Sequence, residues 1–185
     1  MGRRNTGGAH VFHGLWGTCD RHGGWLRAIL TAYLTALKFG QLQALDAGAG
    51  VGFSTMWVAR ALDESGISGV VYAVERSANR FKKLKGLVAR HGLGNLVIPI
   101  NGDALECIKE IEGLNLVFVD IDKESYPEFF LLVKDRIAKG GVVLAHNVKH
   151  PWGSIGAFLK EASRDGWKTI VVPTDEGMSI SVRTS

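Results

Sequence analysis

The chain has 185 residues, 46% of them hydrophobic and 22% charged, which describes one ordinary globular domain with a sizeable core rather than a disordered segment. With 22 Lys and Arg against 18 Asp and Glu, the formal charge is +4, which permits an anionic partner without requiring one, so nucleic acid is not excluded. Cys19 and Cys107 form no C-x-x-C pair; neither a disulfide framework nor a zinc ribbon is indicated, and a reduced cytoplasmic setting fits.

Residues 1–24 hold seven of the 24 glycines together with His10, His13, Trp16 and His22, show no sustained period, and read as a loop or arm. From Trp25 onward, Leu26, Ile29, Leu30, Tyr33, Leu34 and Leu37 recur at three- and four-residue steps, which predicts a helix with these residues on one face, ending near Gly40. The apolar run is about 13 residues long and contains Arg27, too short for a membrane span of roughly 20 residues. No small-residue cleavage site closes it, so neither a membrane anchor nor a signal peptide is expected.

Beyond Gly40, strand and helix alternate. Short apolar runs at Leu42 to Leu45, Val70 to Val74, Leu96 to Ile100, Leu116 to Val119 and Val142 to Ala145 are of the kind buried on both faces of a parallel sheet. Helices are expected over Ser54 to Leu62, after an N-cap at Ser77 as far as Gly92, and from Pro127 through Phe130, Leu131, Lys134 and Ile137 to Gly140 and Gly141. A further helix covers Ser154 to Ala162. Thr169 to Val172 and Met178 to Val182 then form an antiparallel hairpin around the turn-like residues 173–177.

The pattern predicts a doubly wound, Rossmann-like α/β fold: a mostly parallel seven-stranded sheet, helices on both faces and a C-terminal antiparallel hairpin. Residues 1–40 form the arm and first helix, and 41–185 the sheet domain, within a single domain overall. Ligands of such sheets bind beyond the carboxyl ends of the strands.

After the first strand the chain reads Asp46-Ala47-Gly48-Ala49-Gly50-Val51-Gly52-Phe53-Ser54. Glycines permit a tight turn and close approach of backbone to ligand, and the following helix offers unpaired N–H groups. A dinucleotide loop, Gly-x-Gly-x-x-Gly, would need its third glycine at position 53 or 55, which are Phe53 and Thr55. Asp46 would repel a pyrophosphate yet attract an ammonium, so a zwitterionic amino-acid ligand suits both features. Glu75 closes the second strand, where an acid can accept from ribose hydroxyls. Asp103 and Ala104 follow the third strand, with Asp103 equally placed to cap a helix. The fourth strand leads into Asp120-Ile121-Asp122-Lys123 and Tyr126, and the fifth into His146-Asn147; adjacent parallel strands bring these to one rim.

Asp-x-Gly-x-Gly-x-Gly resembles the first motif of class I S-adenosylmethionine-dependent methyltransferases. The run Val119-Asp120-Ile121-Asp122-Lys123 with Tyr126, the Asn147 that ends the fifth strand, and the hairpin around Gly177 are similar to the metal-dependent catechol and caffeoyl-coenzyme A O-methyltransferases. The resemblance implies transfer of a methyl group from S-adenosyl-L-methionine to a hydroxyl of a small, aromatic acceptor. It assigns Asp46, Gly48, Gly50, Gly52, Ser54, Glu75, Asp103, Ala104 and Asp120 to the cofactor. Asp120, His146 and Asn147 become ligands of a divalent metal, with Asp120 and Lys123 catalytic and Lys123 the general base.

His146 stands where that family has aspartate. Magnesium prefers oxygen ligands, whereas imidazole suits manganese and other first-row ions, so His146 is read either as a ligand or, without metal, as a polar loop residue or a base. The acceptor pocket, to which His10, His13, Trp16 and Trp152 are candidates, and a homodimer stay open. Other readings are a metal-free methyltransferase of RNA or protein, a cofactor-binding module without catalysis, and an aminopropyl-transfer enzyme.

Overall fold

The computed structural model describes residues 24–149 and 153–185. His10, His13, Trp16, Trp152 and the expected arm lie outside the described residues. The elements run α1 (Gly24–Phe39), β1 (Leu42–Ala47), α2 (Phe53–Ser65), β2 (Gly69–Glu75), α3 (Ala78–Arg90), β3 (Val97–Asn101), the single turn α4 (Ala104–Cys107), β4 (Leu114–Val119), α5 (Tyr126–Val133), β5 (Ile137–His146), α6 (Gly153–Glu161), β6 (Trp167–Val172) and β7 (Met178–Arg183). Short 3-10 turns follow α4 and precede α5.

The seven strands form one sheet in the order β3-β2-β1-β4-β5-β7-β6, parallel except for β7, which runs against both β5 and β6. Alternation along each strand builds two separate cores. Leu42, Ala44, Leu116, Phe118, Val142 and Leu144 face the layer of α1, α2 and α3. Leu45, Ala47, Val117, Val119, Val143 and Ala145 face α4, α5 and α6. The expected doubly wound α/β sheet with its terminal hairpin is therefore the observed one.

Two local features differ from what periodicity alone conveys. On α1 the face carrying Leu30, Tyr33, Leu34 and Leu37 is exposed, while Ala32, Thr35 and Ala36 are buried. Ala32 and Ala36 share a core with Val58, Ala59 and Leu62 of α2, and small side chains let two helix backbones approach closely where leucines could not. Leu26 and Ile29 fall outside the described side chains.

The second is a correction: Ile137 belongs to β5 and not to the helix after Pro127. Gly140 (φ +80°) does not stop a helix; it kinks a strand, and the β4–β5 register shifts between Leu114 and Leu116, so that Ile137 pairs with Leu114.

No helix among the described residues is long and apolar enough to cross a membrane.

Candidate active site

The glycine loop is a hub between three strands. The amides of Gly48 and Ala49 both donate to the Val74 carbonyl (3.0 and 2.9 Å), and the Gly50 amide donates to Oε2 of Glu75 (2.9 Å). Gly48, at φ +89°, is irreplaceable on two grounds: the left-handed backbone, and a Cβ there would lie 2.2 Å from the Asp120 carbonyl oxygen. Gly52 (φ +101°) occupies the N-cap of α2 with no side-chain cap, so the first turn of that helix is not satisfied by a capping side chain. At Gly50 a Cβ would meet nothing closer than 4.0 Å, so this stretch of backbone borders open space, as a ligand cradle must.

Asp46 is 1% exposed beneath this loop. Its Oδ2 accepts from the hydroxyls of Ser54 (2.7 Å) and Thr55, whereas Oδ1 is buried with no partner in the structure. Burial, the largest influence, together with the Asp120 and Glu75 charges, raises the carboxyl from 3.8 to about 6 against the lowering effect of the Thr55 and Ser54 hydrogen bonds. A buried carboxylate oxygen lacking a donor fits a ligand that brings an ammonium group. Ser54, expected to touch the cofactor, donates its hydroxyl to Asp46, and Thr55 is a second support for that carboxylate.

Glu75 is 2% exposed. Besides Gly50, it accepts at Oε1 from the Ser77 amide (2.7 Å) and from Nε of Arg80 (3.0 Å). A carboxylate has about four lone-pair sites, and three are taken by protein donors. Glu75 therefore locks the loop to the start of α3 and keeps one acceptor site for a ligand hydroxyl. Asp103 caps α4 through Oδ1, which accepts from the Leu105 amide (2.8 Å), and Ala104 is buried beside it. Both line the same crevice as Gly48, Glu75 and Asp120. Across its mouth, Arg76 and the expected acid Asp122 form an exposed ion pair at 2.6 Å.

The second half of the site gathers at the ends of β4 and β5. Lys123 Nζ donates to Asp120 Oδ1 (2.7 Å), to the Tyr126 hydroxyl (2.7 Å) and to the Ile121 carbonyl (3.4 Å), so all three ammonium protons have acceptors. The Tyr126 hydroxyl lies 3.0 Å from the Val119 carbonyl and 2.8 Å from that of His146, tying β4 to β5. Burial and then the Asp120 charge push its phenol well above the ordinary value. Burial would also raise Asp120, but the hydrogen bond to His146 and the Lys123 ammonium outweigh it and hold the carboxyl below its usual value.

His146 lies between two carboxylates, with Nδ1 3.5 Å from Asp120 Oδ2 and Nε2 3.4 Å from Glu176 Oε2. Asn147, in the left-handed region at φ +58°, donates Nδ2 to the same Glu176 oxygen (2.6 Å). Glu176 was not anticipated. The β6–β7 turn carries it over the end of β5: the Val148 and Lys149 amides donate to the Gly177 and Glu176 carbonyls, and a Cβ at Gly177 would lie 2.9 Å from the Lys149 amide nitrogen. A glycine at the foot of a hairpin with an acid before it was the available signal.

The structure thus brings Asp120, Lys123, His146 and Asn147 to one rim, as expected. Among the described residues, no three His, Cys, Asp or Glu side chains are placed to hold a metal ion.

A parallel sheet of this strand order, a glycine loop after its first strand and an acid closing its second define a class I, Rossmann-like methyltransferase fold. The chain belongs to the family described as a methyltransferase domain, whose model matches residues 45–148. It is 30% identical over 124 residues to a catechol O-methyltransferase of Niastella koreensis, covering 58% of this chain and 54% of that one. It is 29% identical over 101 residues to a probable cobalt-precorrin-6B C(15)-methyltransferase of Methanothermobacter thermautotrophicus, covering 55% and 50%. The chain spans about half the length of the curated relatives it matches. Its fold superposes on an O-methyltransferase from Bacillus cereus in complex with SAH at a TM-score of 0.73 and 21% identity, covering 86% of this chain and 81% of that one.

Proposed function

We propose that the chain is an S-adenosylmethionine-dependent O-methyltransferase that moves the sulfonium methyl to a hydroxyl of a small aromatic acceptor. The observation that carries this reading is the pair of buried carboxylates flanking the loop, Asp46 with its partnerless Oδ1 and Glu75 holding the Gly50 amide. An amino-acid ligand has its ammonium received at Asp46 and its carboxylate at the open end of α2, a helix N-terminus that favours anions. Gly48, Gly50 and Gly52 shape the backbone around the methionine part. Glu75 takes a ribose hydroxyl, while Asp103 and Ala104 border the adenine.

The name of the catechol-methylating relative supports an aromatic hydroxyl, whereas the precorrin relative is named for transfer to carbon. An oxygen acceptor carries a proton that must leave, and the Asp120, Lys123 and His146 cluster at the crevice supplies groups able to bind and receive it. On this reading Asp120 and Lys123 act on the acceptor side of the crevice.

The test is transfer of radiolabelled methyl from S-adenosylmethionine to a panel of catechols, with Asp120→Ala and Lys123→Ala alongside the wild type. The expected result is methyl ether product with loss of turnover in both variants. Label appearing only in RNA or protein, or undiminished turnover in both variants, contradicts the reading.

A further inference from the structure

The charge of the chain is unevenly placed. Residues 76–91 hold six of the 22 Lys and Arg, namely Arg76, Arg80, Lys82, Lys83, Lys85 and Arg90, and no Asp or Glu, so the remainder, 16 against 18, is net acidic. All six residues are exposed. Arg76 and Arg80 are committed to Asp122 and Glu75 at the crevice. Lys82, Lys83, Lys85 and Arg90, all on α3, form no ion pair among the described residues. By contrast, Arg60, Lys109 and Arg164 each meet an acid three or four residues away.

Nothing within α3 favours this arrangement. Leu84 and Val88 are buried and fix the inner face of the helix. Lys83 and Arg90 share one exposed stripe, and Lys82 and Lys85, three residues apart, are neighbours on the surface. Like charges at that spacing oppose the helix, and its first turn holds no acid to complement the dipole. A partner rich in negative charge removes both penalties, and the other side chains of α3 narrow its kind. A bilayer is held by apolar side chains that insert beside the cations, but α3 exposes no large hydrophobic residue, since Phe81 and Leu87 are half-buried. A single strand needs aromatic rings on which bases stack, but Phe81 is covered by the Lys85 ammonium, 5.8 Å from the ring centre. A duplex needs neither. It presents one phosphate charge per about 1.7 Å of axis, and the 13 residues of α3 offer it a convex surface about 20 Å long.

We propose that the exposed face of α3 docks on the phosphate backbone of a nucleic-acid duplex through Lys82, Lys83, Lys85 and Arg90, without reading its sequence. Contacts of this kind set position and carry no base information. The helix starts at the crevice, where the Ser77 amide and Arg80 hold Glu75, and packs on β2 and β3. A duplex on α3 therefore lies at the β2–β3 end of the sheet and leaves the β4–β5 rim open. The surface stands apart from the methyl-transfer reading: it holds the chain to a polyanion and alters no step at the rim.

The experiment is fluorescence anisotropy of labelled DNA and RNA duplexes of about 20 base pairs, in unrelated sequences, titrated with the full chain. Four phosphate contacts predict an affinity that falls about a hundredfold between about 50 and 200 mM salt and does not depend on sequence. Binding of either duplex supports the proposal, and the tighter of the two names the partner. Lys82→Gln/Lys83→Gln, in which glutamine keeps the helix propensity, should weaken binding about tenfold at low salt and flatten the salt dependence by about two charges. Its affinity for S-adenosylmethionine should match that of wild type, which separates this surface from the cofactor site. Lys139→Gln/Lys168→Gln removes the same charge from exposed positions elsewhere and should bind duplex as wild type does. An equal loss in both double variants makes the effect one of overall charge and overturns the proposal. So does wild type that binds no duplex at about 50 mM salt. Tighter binding to single strands, to polyglutamate or to vesicles of phosphatidylcholine and phosphatidylserine than to duplex also overturns it.

Discussion

The two ends of the crevice hold their carboxylates in opposite ways. At the β1–β2 end, Asp46 and Glu75 are 1% and 2% exposed, bonded to backbone amides, hydroxyls and one arginine, all within the first 80 residues. At the β4–β5 end, Asp120 and Glu176 are 34% and 59% exposed in their side chains and bond to Lys123, His146 and Asn147. The first arrangement is built into the fold, because removing one of those carboxylates strands buried donors; the second is a set of replaceable side chains on an open rim. On the proposed reading, recognition of the methyl donor lies at the fixed end and that of the acceptor at the open rim.

The sharpest way to break the contrast is Gly48→Ala. A Cβ 2.2 Å from a backbone oxygen at φ +89° has no flexible neighbour to displace, so denaturant unfolding should show a loss of more than about 3 kcal/mol. A fully stable Gly48→Ala protein would mean that the loop is not pinned to the fourth strand.

Asp46→Asn should move stability the other way. Because the folded carboxyl is raised from 3.8 to about 6, the fold holds this proton more tightly than the unfolded chain does. Stability from this group is complete below about pH 4 and is lost as pH rises through about 6, above which the ionised group opposes folding by about 3 kcal/mol. The asparagine variant without ligand should therefore melt higher than wild type at pH 8 and gain nothing at pH 4, while binding S-adenosylmethionine more weakly. An equal gain at both pH values would contradict the burial argument.

Next in size is Glu75→Gln, which weakens acceptors for one backbone amide of the loop and one of the α3 start; charged hydrogen bonds of this kind are worth about 1.5–3 kcal/mol each. Calorimetry should find cofactor affinity reduced about tenfold or more. The smallest effect is expected of Arg76→Ala, since an ion pair whose side chains are 60% and 52% exposed contributes less than about 1 kcal/mol. Its melting temperature should stay near that of wild type.

Much of this was legible in the sequence because it is local or periodic. Short apolar runs bounded by turn residues located all seven strands, and an acid beside three alternating glycines located the loop, since a tight turn against a ligand or another strand demands those residue types. The rim residues Asp120, Lys123, His146 and Asn147 were also found, because in a parallel sheet the positions after adjacent strands share an edge. The misses have different causes. Periodicity on α1 reports that a helix has two faces but not which one docks, and here the alanine face wins by close approach. Gly140 and Gly141 were read as a helix stop, because the same left-handed backbone that ends a helix also kinks a strand. Glu176 escaped because it enters the site from a turn about 30 residues beyond His146, a proximity fixed only by antiparallel pairing of His146 with Met178.

Isothermal calorimetry with S-adenosylmethionine bears most directly on the central claim that the loop between Asp46 and Glu75 receives the methyl donor. One molecule should bind per chain, with the heat lost in Gly48→Ala and reduced in Glu75→Gln. Wild-type protein that binds no S-adenosylmethionine, or binds it equally well after both substitutions, would contradict it.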